Sequence, residues 1–235
     1  MEPIVYELCE HANIECYRVG NEQQEVLVVD DFLKGALALK ARAVHENDFA
    51  QADSFYPGVR MQVPQEYTFA IVKNLGFFME RFFQLEVRQI KSAVSKFSIV
   101  TTRPDDLGLL QRIPHFDSPS RKGLAVVHFL QSIPSMGTAL YRHKPTGFEY
   151  VDEQRYPHYM ENIQQRYPTE SKYPKGYING STDQFEEMAS FDAVFNRLLM
   201  YRGTSLHSGK IGKDYNFDPS PATGRLTIAS FFEFK

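Results

Sequence analysis

Short apolar runs bounded by turn residues dominate the chain from about residue 85 onward. Residues 93–100 alternate between two faces, which is typical of a strand. Further apolar segments occupy residues 123–130, 137–143, 197–201 and 225–234. A turn at residues 144–147 leads into another short strand at 148–150. Many strands at close intervals predict a β-sandwich or a barrel of the jelly-roll type.

The first 84 residues show helical spacing instead. After an apolar strand at residues 26–29, we expect Asp30 and Asp31 to cap a helix, because free N–H groups favour acidic residues there. The buried stripe of this helix is predicted at Leu33, Leu37, Ala41 and Val44. A second helix is expected to begin at Pro64 and to bury Tyr67, Ile71, Leu75, Phe78 and Phe82.

Residues 151–190 break the strand pattern with three Tyr-Pro pairs and an Asn-Gly, and a short helix is expected between Tyr159 and Arg166. Prolines at this density exclude a central strand. Two interpretations are open: a solvated connection between strands, or a lid that carries tyrosines over the mouth of a site.

The length and these patterns together predict one domain over residues 1–235 with a mainly β (α+β) fold. Residues 1–84 would supply a strand and helical support, and residues 85–235 the jelly-roll core with its lid-like insertion at 151–190.

Composition and charge reduce the number of functional classes to consider. Hydrophobic residues make up 43% of the chain and charged residues 23%, as in an ordinary globular protein. The net charge of −3 and the lack of a long basic run argue against nucleic-acid binding. No signal-peptide pattern and no membrane span are evident. Cys9 and Cys16 fit neither a zinc knuckle nor a CxxC pair, so we expect reduced thiols and a cytoplasmic protein.

The strongest candidate for chemistry is the segment Pro114-His115-Phe116-Asp117. If it ends a β-strand, His115 and Asp117 leave on one face and Phe116 on the other. An imidazole and a carboxylate on one face supply two thirds of the two-His-one-carboxylate triad of non-haem Fe(II) oxygenases. The third ligand would be His207. The alternative is an ordinary strand-end histidine that is hydrogen-bonded to an aspartate in a turn.

The last predicted strand places Arg225, Thr227 and Ala229 on one face. A guanidinium beside a hydroxyl on an inward face is costly unless an anion meets it, and this pair suits a carboxylate. The alternative is an arginine exposed at a barrel rim. His128 and His143, also on predicted strands, are interpreted as core or edge histidines.

These segments, in this order, resemble the 2-oxoglutarate- and Fe(II)-dependent dioxygenase superfamily. The matching features are Pro114-His115-Phe116-Asp117, then Met136-Gly137-Thr138, then Leu206-His207-Ser208-Gly209, and finally Arg225-Leu226-Thr227. Residues 28–33 and 56–60 are similar to the opening of prolyl-4-hydroxylase-like members. The chain departs from the family in the long stretch between His207 and Arg225 and in its single glycine at position 137.

The resemblance implies a double-stranded β-helix, that is, a cupin-like barrel. It implies that His115, Asp117 and His207 bind Fe(II) and that Arg225 and Thr227 hold the far carboxylate of 2-oxoglutarate. The implied reaction is hydroxylation of an amino-acid, peptidyl or small-metabolite substrate, with release of succinate and CO2.

Two alternatives keep the barrel: a cupin-like metal-binding protein that takes no keto acid, and a non-catalytic binding domain. The oligomeric state is open, and a homodimer is compatible with the sequence.

Overall fold

Two antiparallel sheets form the framework of the protein, and a computed structural model describes residues 3–51 and 55–235. The strands of the described part are β1 (Asn13–Val19), β2 (Gln24–Asp30), β3 (Ala50–Gln51), β4 (Gly58–Gln62), β5 (Ile90–Val100), β6 (Gly123–Phe129), β7 (Gly137–His143), β8 (Phe185–Asp192), β9 (Leu198–Arg202), β10 (His207–Lys210) and β11 (Leu226–Phe234). The helices are α1 (Ala36–Glu46), α2 (Gln65–Arg81), the single-turn α3 (Leu109–Arg112) and α4 (Tyr156–Arg166).

The large sheet has the strand order β1-β2-β9-β6-β11-β5-β4-β3. Side chains alternate between the two faces along each strand, and the central strands β2, β9 and β6 bury both faces. One face packs under α1 and α2 through residues such as Leu27, Val126 and Ile228. The other face contributes Ala125, Phe129 and other side chains to a second core that it shares with the small sheet. The mainly β class predicted from the strand pattern is confirmed.

The small sheet has the order β10-β7-β8. Strand β8 lies within the stretch that the proline pattern assigned to an insertion, so residues 185–190 belong to the sheet instead. A glycine is required at position 137, because an added Cβ would collide with the backbone carbonyl of Phe191 on β8. The predicted strand at 148–150 is reduced to isolated bridges from Phe148 to His143 and from Tyr150 to Ser205.

Helix α1 differs from its prediction in both its cap and its buried face. Asp30 ends β2 and pairs with Arg197, and the N-cap residue is Gly35. The backbone N–H of Leu33 donates to the Asn196 side chain at 3.0 Å, so this segment is held by a tertiary contact and stays non-helical. The helix therefore starts late, and its buried residues are Ala36, Leu39 and Ala43, whereas Leu37 is 71% exposed and Ala41 and Val44 also face solvent.

Helix α2 follows its prediction more closely. Pro64 is its N-cap residue, and Tyr67, Ile71 and Leu75 are buried against the large sheet. Phe78 and Phe82 pack at the edge of that core and are only partly buried, while Met79 fills its centre. None of the described helices is long and apolar enough to cross a membrane.

His128 sits on β6 in the core between α2 and the large sheet. It is fully buried, and its ring nitrogens lie 3.1 Å from the Tyr67 hydroxyl and 3.1 Å from the Asn196 Oδ1. Burial lowers the pKa of His128 to about 4, so the neutral imidazole persists in the folded protein below the usual histidine range. The interpretation of His128 as a hydrogen-bonded core histidine is confirmed.

This histidine predicts an acid-dependent loss of stability. The unfolded chain binds a proton near pH 6.5, whereas the folded chain resists it until about pH 4. The contribution of His128 is therefore present above pH 6.5 and is lost as pH falls toward 4, by up to about 1.4 kcal/mol per pH unit.

We expect His128→Gln to lower the free energy of unfolding at pH 7 and to flatten its decline between pH 6.5 and 4. Urea unfolding across this range measures both effects, with the exposed His45→Gln as the matched control. A decline as steep as that of the wild type would contradict the assignment.

Candidate metal centre

His115 and His207 are joined directly through the backbone. The N–H of His115 donates to the carbonyl of His207 at 2.8 Å, and the N–H of His207 donates to the carbonyl of His115 at 2.8 Å. This antiparallel bridge brings the two imidazoles to a centroid separation of 4.4 Å. His115 was predicted at the end of a strand. It instead follows the helical turn α3 and makes a single bridge to the edge of the small sheet.

Asp117 is positioned by a second backbone contact. Its N–H donates to the carbonyl of Gly203 at 2.8 Å, and its carboxylate lies 3.5 Å from the Nε2 of His207. One ligand atom from each of His115, Asp117 and His207 lies within 4.8 Å of the others. Phe116 also lines the cavity, in a ring cluster with Tyr156 and Tyr159. The three side chains that the sequence singled out thus converge.

The ring of His207 is fixed by its own backbone neighbourhood. The Nδ1 atom lies 2.9 Å from the carbonyl oxygen of Ser205. A carbonyl only accepts, so Nδ1 carries the proton and Nε2 presents its lone pair toward Asp117. The residues before His207 pair with the chain near Tyr150, through the bonds from Leu206 N–H to the Glu149 carbonyl and from Val151 N–H to the Thr204 carbonyl. Metal-binding histidines usually donate their second ring N–H to a carbonyl or carboxylate, as His207 does to the Ser205 carbonyl.

Desolvation sets the charge state of the three side chains, of which His207 is buried, His115 is half-buried and Asp117 is the most exposed. Desolvation lowers the pKa of His115 to about 4, aided by the neighbouring His207, and lowers the pKa of His207 to about 4. Desolvation raises the pKa of Asp117 to about 6. Near neutral pH the cluster therefore holds two neutral imidazoles and one carboxylate, which are the forms that bind a metal ion.

Arg225 directly precedes β11 and is buried, with 4% of its surface exposed. Its Nη2 donates to the carbonyl of Gly137 at 2.7 Å, while its buried Nε has no hydrogen-bond partner. Burial lowers the pKa of this guanidinium. No carboxylate of a described residue forms an ion pair with it, although a buried charge normally has such a partner.

Thr227 lies two residues further along β11, on the same face of the strand as Arg225. Its hydroxyl donates to the carbonyl of Ser98 at 3.3 Å. Both residues line the cavity that also contains the His115, Asp117 and His207 side chains. The structure therefore places all five predicted site residues on one cavity.

The cavity has a volume of about 680 Å³, large enough for a small keto acid and part of a second molecule. Sequence reasoning did not assign several residues of the cavity wall to a site: Tyr56, Arg60, Tyr177, Tyr201 and Phe231. Tyr201 packs its ring 4.7 Å from that of His207. Arg60 belongs to residues 56–60, for which the sequence showed only a similarity to prolyl-4-hydroxylase-like proteins.

Two imidazoles and one carboxylate are the donor set of non-haem Fe(II) centres. The unpaired Nε of Arg225 offers a donor to an anion in the same cavity. The residues present therefore fit a divalent metal together with a carboxylate-bearing cosubstrate.

The sequence of the chain matches the model of a known protein family. A family model described as a family of unknown function, DUF6445, matches residues 10–232. The chain belongs to the DUF6445 family. No curated protein matches the sequence of this DUF6445 chain.

Solved structures resemble this DUF6445 member in fold. The non-heme alpha ketoglutarate dependent carbocyclase SnoK from nogalamycin biosynthesis matches with a TM-score of 0.50 and 10% identity, covering 90% of this chain and 80% of its own. The non-heme alpha ketoglutarate dependent epimerase SnoN matches with a TM-score of 0.50 and 9% identity, covering 89% and 78%. An N-substituted L-amino acid dioxygenase from Burkholderia ambifaria matches with a TM-score of 0.43 and 10% identity, covering 95% of each chain. The first two show that the fold is shared with 2-oxoglutarate-dependent enzymes.

The geometry of this DUF6445 site predicts a metal site that depends on His207. We expect Co(II), used as a visible stand-in for Fe(II), to bind His207→Ala at least about 100-fold more weakly than the wild type, since even the supporting partners of metal ligands are worth about 10–100-fold. Titration followed by the visible Co(II) bands measures this change.

The exposed His158→Ala is the matched control and should bind as the wild type does. Equal affinity of His207→Ala and the wild type would remove His207 from the site.

Proposed function

We propose that this protein is an Fe(II)- and 2-oxoglutarate-dependent oxygenase. In this proposal His115, Asp117 and His207 hold the iron, and Arg225, with Thr227, receives the far carboxylate of 2-oxoglutarate. The observation that carries it is the buried Arg225, which has no carboxylate partner among the described residues and opens onto the cavity of the His-Asp-His cluster.

The buried charge of Arg225 supports the binding of an anion. A guanidinium removed from water loses several kcal/mol of solvation, and only an anion with good geometry recovers most of it. The surrounding groups are the Phe129 ring, 5.5 Å away, and the phenols of Tyr56, Tyr177, Tyr201 and Tyr215. The four phenols and the Phe129 ring are neutral near pH 7, so no negative charge balances the Arg225 guanidinium. A bound dicarboxylic acid would supply that negative charge.

The protein's share of the chemistry is to bind, orient and shield. Iron, together with the keto acid and oxygen, would supply the oxidising power that forms succinate and CO2 and oxidises the substrate. His207 keeps its Nε2 available because Ser205 holds its Nδ1 proton. The ring of Tyr201, which packs against His207 and lines the cavity, forms part of an apolar wall that limits water near the reacting groups.

Helix α4 supports a covering role for the residues after 151. The hydroxyl of Tyr159 donates to the carbonyl of Pro114 at 3.2 Å, directly before His115. Tyr156 and Met160 of the same helix line the cavity. We include in the proposal that this segment forms part of a lid within a single domain.

The finer fold assignment is also part of the proposal. The neighbouring strands β9, β6, β11 and β5 of the large sheet face the small sheet and the His115 bridge to β10, which supports a double-stranded β-helix. Placement near prolyl-4-hydroxylase-like enzymes rests on residues 28–33 and 56–60. We propose hydroxylation of an amino-acid, peptidyl or small-metabolite substrate as the reaction.

The decisive experiment is an anaerobic titration with Fe(II) and 2-oxoglutarate. We expect a weak visible charge-transfer band only when both are present, and we expect His207→Ala to abolish it. Arg225→Met should keep iron binding but weaken 2-oxoglutarate by at least about 30-fold, because truncating one partner of a buried charge pair costs about 2–5 kcal/mol.

The control is Arg88→Met, which alters an arginine whose side chain is 82% exposed and lies outside the cavity. Urea unfolding without ligand should show Arg225→Met to be no less stable than the wild type, since an unpaired buried charge is removed. A 2-oxoglutarate affinity that is unchanged in Arg225→Met would refute the proposed cosubstrate site, and iron binding without any effect of 2-oxoglutarate would favour the cupin-like alternative.

A further inference from the structure

A second guanidinium, that of Arg60, borders the same cavity from another strand of the large sheet. Arg60 on β4 pairs with Ser98 on β5, and Ser98 pairs with Thr227 on β11. Residues directly opposite in antiparallel strands project from the same face. Arg60 and Thr227 therefore face the cavity together, separated by one strand and hence by roughly 10 Å.

Arg60 is half-buried and has little to hold it except aromatic rings. Its guanidinium carbon lies 4.4 Å from the centre of the Tyr56 ring and 6.0 Å from that of Phe231. Its Nε is buried without a hydrogen-bond partner, and no ion pair to it forms within the described ranges 3–51 and 55–235. Stacking of this kind fixes the plane of the guanidinium and leaves its N–H edge for a ligand.

Arg60 lies on β4, two strands away from Thr227 on β11. Arg225 already lies deep in the cavity beside Gly137 and Thr227, where a dicarboxylate would end. Burial lowers the pKa of Arg60, and the neighbouring Tyr56 and Asp117 oppose this lowering. Arg60 and the metal-site residue Asp117 line the same cavity, which a substrate has to enter.

The remaining wall is apolar. Leu110, Phe116, Tyr156 and Met160 line the cavity near the His115 segment. A long apolar or aromatic body fits such a surface, and a planar N–H edge beside it suits a carboxylate.

We propose that Arg60 is a substrate-binding residue and that the substrate is an apolar carboxylic acid. Its carboxylate pairs with Arg60, and its body lies against Phe116, Tyr156 and Met160, with the reacting carbon facing the metal. This inference rests on the proposed function for the identity of the neighbouring 2-oxoglutarate site.

The test uses matched acids and amides as probes: 3-phenylpropionate with 3-phenylpropionamide, and octanoate with octanamide. The protein is saturated with Zn(II) and 2-oxoglutarate, so that Arg225 is occupied, and probe binding is measured by ligand-observed NMR. We expect at least one acid to bind at least about tenfold more tightly than its amide, which corresponds to about 1.4 kcal/mol.

Arg60→Gln should abolish this preference, and Arg60→Lys should keep part of it because the charge remains while the planar fork is lost. Arg88→Gln should behave as the wild type. The affinity for 2-oxoglutarate, measured in parallel, should not change by more than about twofold in Arg60→Gln, since the inference gives Arg60 no contact with that molecule.

Each other outcome contradicts one of the two proposals separately. If neither acid is preferred, if no probe binds, or if Arg60→Gln retains the preference, the inference is wrong while the cosubstrate site stands. If Arg60→Gln weakens 2-oxoglutarate tenfold, Arg60 belongs to the cosubstrate site and the inference is also wrong. If 2-oxoglutarate does not bind the wild type but the Arg60-dependent preference persists, the proposed function fails and the carboxylate site remains.

Discussion

The backbone bridge between His115 and His207 is the contact on which the candidate site depends. Two reciprocal N–H to carbonyl bonds of 2.8 Å join segments that are far apart in the chain. Backbone bonds fix the positions of the two Cα atoms, so the imidazoles meet without relying on flexible side chains. The bond from Asp117 N–H to the Gly203 carbonyl adds the carboxylate to the same frame. The cluster is thus held before any ion arrives, which is the preorganisation that a metal centre needs.

The charged side chains that line the cavity lose part of their hydration. Asp117, Arg60 and Arg225 are all partly removed from water. This desolvation raises the pKa of Asp117 and lowers the pKa of both arginines, so that it favours the neutral form of each group. Glu149, by contrast, is a buried charge with partners: it accepts bonds from Arg142 and from the N–H groups of Asn21 and Glu22. The contrast between Glu149 and Arg225 distinguishes a structural charge from one available to a ligand.

The large sheet separates support from chemistry. Its helix-covered face holds the main core and the buried pair of His128 and Tyr67. Its other face carries Arg60, Thr227 and Arg225 toward the small sheet. Since successive side chains in a strand alternate, one sheet performs both tasks without competition between packing and binding. His128 lies under the helices, whereas His115 and His207 lie at the small sheet, and only their partners show which histidines belong to the site.

Local sequence determined which residues carry chemistry and which segments form strands. The alternation of 93–100 and 225–234 required strands, and the order of His115, Asp117, His207 and Arg225 pointed to one site. Tertiary structure decided the rest, because the deciding contacts join distant residues. The late start of α1 follows from the bond between Leu33 and Asn196, and the assignment of 185–190 to β8 follows from pairing with β7. The role of Arg60 emerges only when β4, β5 and β11 are placed side by side, since no local pattern encodes which strands become neighbours.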